Sequence, residues 1–183
     1  MRTPLALVLL AAALACRSSH EPSRAEPAPG YALSEETCGS VRPLTVFGPL
    51  RLAGQPKPAD LQELANRGVR HVVNMRHDSE PIGYDERAAV EALGMTYEHR
   101  PWNGVSQLDD QVFADYRAIF SRAAEPTLVH CSSANRVGAV WIAWRVLDGG
   151  VELERAVDEA RRVGLKSAEY EAKARDYVAR NSH

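Results

Sequence analysis

The segment from residue 127 to residue 139 constrains this chain more than any other. It begins with the apolar run 127–129, passes through His130 and Cys131 into a short polar loop, and continues after Arg136 as an apolar stretch. This pattern predicts a buried strand, an anion-binding loop and a helix, in that order. Cys131 then lies at the start of the helix, where the positive end of the helix dipole and unpaired backbone N–H groups favour the thiolate.

Arg136 follows Cys131 by five positions and completes the pattern. Its guanidinium is permanently charged, and its planar fork matches two oxygens of a bound oxyanion. We therefore expect a nucleophile and an anion clamp to face one pocket. The alternative, a buried structural cysteine and a surface arginine, gives no reason for a polar loop between two apolar elements.

Composition limits the classes of function. The chain has 183 residues, of which 45% are hydrophobic and 25% charged, enough for one domain with a substantial core. The net charge of −2 offers no basic surface for nucleic acid or for a membrane. Three cysteines are too few for a disulfide framework, and no spacing typical of a metal site occurs, so we expect no metal or other cofactor.

The N-terminus has the pattern of an export signal. Residues 1–16 combine a basic start with about eleven apolar residues, too few to span a bilayer. The stretch 10–16 resembles the lipobox of bacterial lipoproteins, which implies that Cys16 is lipidated and holds the protein on the periplasmic side of the cell envelope. Ala13 stands where leucine is usual, so ordinary cleavage near Ala15 remains an alternative.

Residues 17–43 are rich in Pro, Ser and charged residues and predict a flexible tether between the anchor and the domain. Cys38 falls inside this predicted tether. In an oxidising compartment it could pair with Cys131 or stay free, and the sequence leaves both alternatives open.

Residues 44–183 alternate between strand and helix patterns. Strands are predicted at 45–47, 50–53, 71–75, 95–99 and 127–130. Helices are predicted from about 58 to 67, 84 to 93, 107 to 123, 137 to 147, 152 to 163 and 167 to 180. This alternation predicts an α/β fold with a mostly parallel sheet that is covered by helices on both faces.

Several of these stretches resemble one family. The residues are Leu52–Pro56, Val72–Arg76 with Glu80, His130–Ala139, and the later Ala156–Leu165. Together they resemble the dual-specificity-phosphatase-like domain of bacterial beta-lactamase-hydrolase-like proteins, over roughly residues 45–170.

The resemblance implies a cysteine-phosphatase-like three-layer fold, with a central sheet of four to five strands and helices on both faces. It implies hydrolysis of a phosphate monoester, on a small molecule or on a protein carrying phosphotyrosine or phosphoserine. Cys131 would form a phosphocysteine and Arg136 would hold the phosphate. The implied substrate cradle consists of the backbone N–H groups of Ser132, Ser133, Ala134, Asn135 and Arg136.

Three positions depart from the broad cysteine-phosphatase pattern. Four residues, not five, separate Cys131 from Arg136, which is the loop length of rhodanese-type sulfurtransferases. Ala134 replaces a glycine and so restricts φ where the loop must turn. Val137 replaces a serine or threonine that often assists departure of the thiolate. A sulfurtransferase carrying a persulfide on Cys131, and a non-catalytic phospho-ligand binder, therefore stay open.

The general acid is the weakest part of the resemblance. Asn103 stands in the loop where cysteine phosphatases carry an aspartic acid, and an amide has no titrating proton to donate. Asp109 and Asp110 are the candidate acids, although helix capping and a solvated helix face explain them as well. With no acid, aryl phosphates should react much better than alkyl phosphates.

The remaining polar candidates have weaker claims. His130 is expected to orient the loop from inside the core. Arg76 and Glu80 are expected to form an ion pair that fixes their own loop. His71, His77 and His99 have still less claim to chemistry.

Overall fold

The computed structural model describes residues 30–182, so the predicted export signal, Cys16 and residues 17–29 lie outside the described residues. The strands are β1 Ser34–Glu35, β2 Leu44–Phe47, β3 Leu50–Ala53, β4 His71–Asn74, β5 Thr96–His99 and β6 Thr127–His130. The helices are α1 Pro58–Asn66, α2 Glu86–Ala92, α3 Asp110–Arg122, α4 Asn135–Leu147, α5 Leu153–Val163 and α6 Ala168–Asn181. None of these helices has the length and apolarity needed to cross a membrane.

The strands form one mixed sheet in the order β1-β2-β3-β6-β4-β5. Strands β3, β6, β4 and β5 are parallel, whereas β2 and β1 add an antiparallel edge. The predicted α/β fold with a mostly parallel sheet is therefore confirmed. The sheet has six strands, because β1 lies in a stretch that the sequence pattern did not mark as a strand.

Side chains of the sheet alternate between two apolar layers, as the period of a strand requires. Leu52, Val73 and Val129 pack in the layer that contains α3, α4, α5 and α6. Val72 and Leu128, their neighbours along the strands, pack in the layer that contains α1 and α2. The molecule thus has three layers, with helices on both faces of the sheet.

The packed domain begins earlier than predicted. Residues 34–43 were assigned to the tether, but β1 pairs with β2, and Cys38 and Val41 are fully buried. Both Cys38 and Cys131 are free, and they lie in different apolar layers. Burial, with a contribution from the charge of Glu63, raises the pKa of Cys38 to about 11, so this thiol is a poor nucleophile at neutral pH.

Capping side chains mark the start of four of the described helices, α2, α3, α5 and α6. Asp85 accepts a hydrogen bond from the N–H of Ala88 at the start of α2. Asp109 accepts one from the N–H of Val112 at the start of α3, so Asp109 itself is the N-cap. The helix therefore begins at Asp110, later than the predicted start near residue 107.

The carboxyl ends of three parallel strands meet at one edge of the sheet. Ala53 of β3 and Asn74 of β4 are both in register with His130 of β6. The residues that follow these strands therefore emerge side by side. Such an edge is where α/β proteins place their ligand sites.

Candidate active site

Cys131 lies directly after the central strand β6 and three residues before the last residue of its loop, Ala134, which precedes α4. The cysteine is buried and its thiol is free. Among residues 30–182, no backbone carbonyl accepts a hydrogen bond from the N–H of Ser132, Ser133, Asn135 or Arg136. The loop therefore presents unpaired N–H donors at the start of a helix, an arrangement that suits an anion.

Ala134 makes the turn that joins the loop to α4. Its φ is 60° and its ψ is 6°, the left-handed region that side chains with a Cβ atom adopt at a cost of roughly 1–2 kcal/mol. It is the one residue other than glycine with positive φ between residues 30 and 182. Ala134 thus makes the turn that a glycine would make, at a cost in backbone strain.

Substitutions at Ala134 should show this strain. Ala134 is fully buried, and Gly164 packs so closely against it that a Cβ atom added to this glycine would lie 2.9 Å from the Cβ of Ala134. We expect Ala134→Val to lower the free energy of unfolding by about 2–4 kcal/mol, since it adds bulk and a branched Cβ at positive φ. Ala134→Gly should stay within about 1 kcal/mol, because relief of strain offsets the lost methyl burial. Urea denaturation measures both; equal stability of the valine and glycine variants would contradict this account.

The guanidinium of Arg136, at the start of α4, binds two loops, the one after β4 and the one after β5. Nη1 donates to the carbonyls of Met75 and Trp102, at 3.1 and 2.9 Å, and to Oε1 of Glu80 at 2.7 Å. Nη2 donates to Oε2 of Glu80 at 2.6 Å. Burial opposes the charged form, but the hydrogen bonds to Glu80 and the adjacent Cys131 raise the pKa of Arg136.

One edge of Arg136 is left for a ligand. An arginine has five N–H donors in a planar fork, and Glu80 binds across the end of that fork. No carbonyl or carboxylate of residues 30–182 accepts from Nε or from the second N–H of Nη2. These two donors share one edge of the guanidinium, and this pair matches two oxygens of a phosphate.

Glu80 holds Arg136 and is itself held. The N–H of His77 donates to Oε1 at 3.0 Å, and Nε of Arg76 donates to Oε2 at 3.3 Å. Burial would raise the pKa of this carboxyl, but the hydrogen bonds from Arg136 and His77 lower it to about 2. Glu80 is therefore ionised at neutral pH and is no proton donor. The predicted Arg76–Glu80 pair is present, and it extends to Arg136.

A network of hydrogen-bonded side chains joins Arg76 to the buried residues Glu86 and His130. Gln55 accepts from Nη1 of Arg76 at 2.6 Å and donates to Oε1 of Glu86 at 2.6 Å. Asn74 donates to the other oxygen of Glu86 at 2.7 Å. Nε2 of His130 lies 3.3 Å from Oε1 of Glu86, and Nδ1 lies 3.4 Å from the Cys131 carbonyl. His130 is fully buried, so its place in the fold suits the orienting role expected for it.

Glu86 was missed by the sequence reasoning. In the chain it reads as an acidic residue in the first turn of α2, a common helix-start feature with no chemical meaning. The structure shows it buried. Burial opposes ionisation, but His130, Gln55 and Tyr84 stabilise the carboxylate and lower the pKa of Glu86.

The two predicted acids are engaged in structural contacts. Asp109 caps α3, and Asp110 accepts two hydrogen bonds from Arg180, at 2.6 and 2.7 Å. The side chain of Asn135 is likewise engaged, because its oxygen accepts from the N–H groups of Lys166 and Ser167. Asn135 thus contributes only its own N–H to the loop.

The other positions near the loop differ in what they can contribute. Ser132 and Ser133 are exposed, whereas Val137 is packed in the core and has no hydroxyl. Within residues 30–182, no three His, Cys, Asp or Glu side chains are placed to hold a metal ion.

More than half of the chain is similar to one known protein family. Residues 42–147 match the family model described as beta-lactamase hydrolase-like protein, phosphatase-like domain. The beta-lactamase hydrolase-like protein of Agrobacterium fabrum is 32% identical over 123 residues, which are 63% of this chain and 28% of that protein. The protein of the same name from Xylella fastidiosa strain Temecula1 is 29% identical over 136 residues, 64% of this chain and 31% of that protein. The chain spans less than a third of the length of these curated relatives.

Several phosphatases of known structure share this fold. P. aeruginosa TpbA has a TM-score of 0.64 at 22% identity, over 81% of this chain and 89% of that chain. A variant of TpbA has been solved in complex with pTyr. Kinase associated phosphatase has a TM-score of 0.62 at 17% identity, over 75% of this chain and 89% of that chain. At these identities the likeness establishes the fold.

Proposed function

The chain belongs to the family of beta-lactamase hydrolase-like protein phosphatase-like domains, and we propose that it hydrolyses a phosphate monoester through a phosphocysteine at Cys131. The observation that carries this proposal is the pairing of Cys131 with the unoccupied edge of Arg136, above a loop of unpaired N–H donors. A nucleophile, a bidentate clamp and a cradle thus converge on one place.

The residues define the steps. The Cys131 thiolate attacks phosphorus, the S–P bond forms, and the bond to the leaving oxygen breaks. The loop N–H groups and the Nε–Nη2 edge of Arg136 hold the non-bridging oxygens while charge gathers on them. Glu80, ionised and bound across the other edge, keeps the guanidinium in place. Water then attacks the phosphocysteine and releases inorganic phosphate and the thiolate.

For the substrate we propose a phosphorylated protein or small molecule. The complex of a TpbA variant with pTyr supports a phosphotyrosine, and the same chemistry extends to phosphoserine. The finer choice depends on what protonates the leaving oxygen, since an alkoxide needs a proton more than a phenolate does.

A sulfurtransferase is the second candidate, favoured by the four residues between Cys131 and Arg136. It predicts thiocyanate from thiosulfate and cyanide, with sulfur loaded on Cys131. The purified, reduced protein should instead release phosphate from p-nitrophenyl phosphate and leave thiosulfate untouched. Cys131-dependent thiocyanate without phosphate release would favour the sulfurtransferase, and binding of phosphotyrosine with neither reaction would favour a non-catalytic binder.

We also propose that the protein is exported and anchored by lipid at Cys16. Cys16→Ala should then convert it from a membrane-associated to a soluble protein of the cell envelope, since a thioether-linked lipid needs the thiol. Fractionation of cells and mass spectrometry of the N-terminus measure this outcome. A wild-type protein that is soluble and begins elsewhere than Cys16 would disprove the anchor.

A further inference from the structure

The backbone of His77 is linked to Arg136 through a shared acceptor on Glu80. The N–H of His77 donates to Oε1 of Glu80 at 3.0 Å, and Nη1 of Arg136 donates to the same oxygen at 2.7 Å. The backbone of His77 is therefore only one shared acceptor away from the guanidinium that would clamp the phosphate.

The ring of His77 is held on the opposite loop, beside Asn103. Its Nε2 lies 2.8 Å from Oε1 of Gln107, and this oxygen also accepts from the N–H of Asn103 at 2.7 Å. An amide oxygen can only accept, so Nε2 must carry the proton. Nδ1 is then the ring nitrogen left for a ligand, since no group of residues 30–182 hydrogen-bonds to it.

These contacts join His77 to the loop that contains Asn103. Asn103 occupies the loop in which cysteine phosphatases carry their acid, and the preceding Trp102 binds Arg136 through its carbonyl at 2.9 Å. The backbone N–H of His77 thus binds Glu80, a partner of Arg136, and its ring contacts Gln107, a partner of Asn103. Imidazole is also the side chain best suited to proton transfer near neutral pH.

Three carboxylates and one other imidazole near this loop have other partners. Glu80 is ionised, and the carboxylates of Asp109 and Asp110 contact α3 and Arg180. His99 binds the carbonyl of Arg76 through Nε2 at 2.6 Å. The Asp78 side chain is 98% exposed and lies 3.8 Å from His99.

Building on the proposed phosphatase function, we infer that His77 is the general acid and base of the reaction. As the P–O bond breaks, the imidazolium gives its Nδ1 proton to the leaving oxygen, which departs as an alcohol or a phenol. Neutral Nδ1 then takes a proton from the water that attacks the phosphocysteine. The S–P bond breaks, and inorganic phosphate, the Cys131 thiolate and the imidazolium are restored.

The test is the dependence of kcat/KM on the leaving group. The value of kcat/KM reports only the steps up to phosphocysteine formation. We compare two substrates: p-nitrophenyl phosphate, which has a good leaving group, and a phosphoserine peptide, which has a poor one. We expect His77→Gln to lower kcat/KM for the phosphoserine peptide by roughly 10²–10⁴-fold. The value for p-nitrophenyl phosphate should fall less than about tenfold, because nitrophenolate departs without a proton. The strong preference for aryl over alkyl phosphates, which the sequence predicts for a protein with no general acid, would then appear in His77→Gln and not in wild type.

His71→Gln is the matched control, since it makes the same change at the start of β4, where the ring faces Glu98 at 3.3 Å. It should leave the ratio of the two substrates unchanged. Gln107→Met is the second variant, because it removes the acceptor of Nε2 without touching the imidazole. It should shift the ratio in the same direction as His77→Gln but by less.

The outcomes separate the two proposals. If wild type hydrolyses both substrates and His77→Gln lowers both values equally, or neither, the role of His77 as an acid is refuted while the phosphatase function stands. If wild type hydrolyses neither substrate, the phosphatase function fails and the inference fails with it.

Discussion

A Cys131→Ser protein should be folded and inactive. Turnover of p-nitrophenyl phosphate should fall by at least roughly 10⁴-fold, because an alcohol is not ionised at neutral pH and is a far weaker nucleophile than a thiolate. The substitution exchanges sulfur for oxygen beside Arg136 and the loop N–H groups, so the melting temperature should change by only a few degrees. Phosphate release and thermal unfolding, measured on the same preparation, check both parts.

Cys38→Ser provides the matched control for this variant. Cys38 is equally buried, but it packs in the other apolar layer, near α1, and burial raises its pKa to about 11. We expect this change to cost some stability and to leave kcat/KM unchanged. If activity survives Cys131→Ser but is lost with Cys38→Ser, the nucleophile is Cys38 and the proposed role of Cys131 is wrong.

Arg136→Lys should produce the second large effect, on activity and stability together. A lysine carries a point charge and cannot bind Glu80 across a fork while it also donates to the carbonyls of Met75 and Trp102. We expect kcat/KM to fall by roughly 10²–10⁴-fold, because the edge that holds two phosphate oxygens is lost. The free energy of unfolding should fall by about 2–4 kcal/mol, because two loops lose a shared donor and the Glu80 carboxylate keeps only part of its hydrogen bonds.

The same substitution elsewhere on α4 separates the two effects. Arg145 lies near the other end of α4, is buried and donates to Glu159 of α5 at 2.6 Å. Arg145→Lys should lower stability by a comparable amount while kcat/KM stays close to wild type. An Arg136→Lys protein whose activity loss is no larger than that of Arg145→Lys would show that Arg136 is structural and does not clamp the phosphate.

The strand, loop and helix around Cys131 were determined by the sequence alone. An apolar run ending at His130, a small polar loop and a helix that is apolar on nearly all sides are local patterns, and each follows from short-range preferences and burial. The same reasoning established the α/β class and the parallel sheet, since the alternation of strands and helices permits few other topologies. The family followed from motifs at the ends of the same strands.

The partners of the site were decided only by the tertiary structure. Arg136 binds Glu80, which is 56 residues away in the sequence. It also binds Met75 and Trp102, which lie in the loops after β4 and β5. Which side-chain atoms meet at the carboxyl ends of the parallel strands depends on loop conformations. The hydrophobic periodicity of the sequence carries no information about these conformations. The same holds for His77 and Gln107, whose contact spans 30 residues between two loops.

Burial shows the same division. The stretch before Pro43 looks polar and irregular, yet pairing of β1 with β2 encloses Cys38 and Val41. Glu86 looks like a helix-start residue, yet the fold buries it among Gln55, Asn74 and His130. The sequence specifies which residue types can serve as a nucleophile, a clamp or an acid. Only the folded chain determines which of them meet, because a charge or a proton donor acts over a few ångströms and those few ångströms are set by contacts between distant segments.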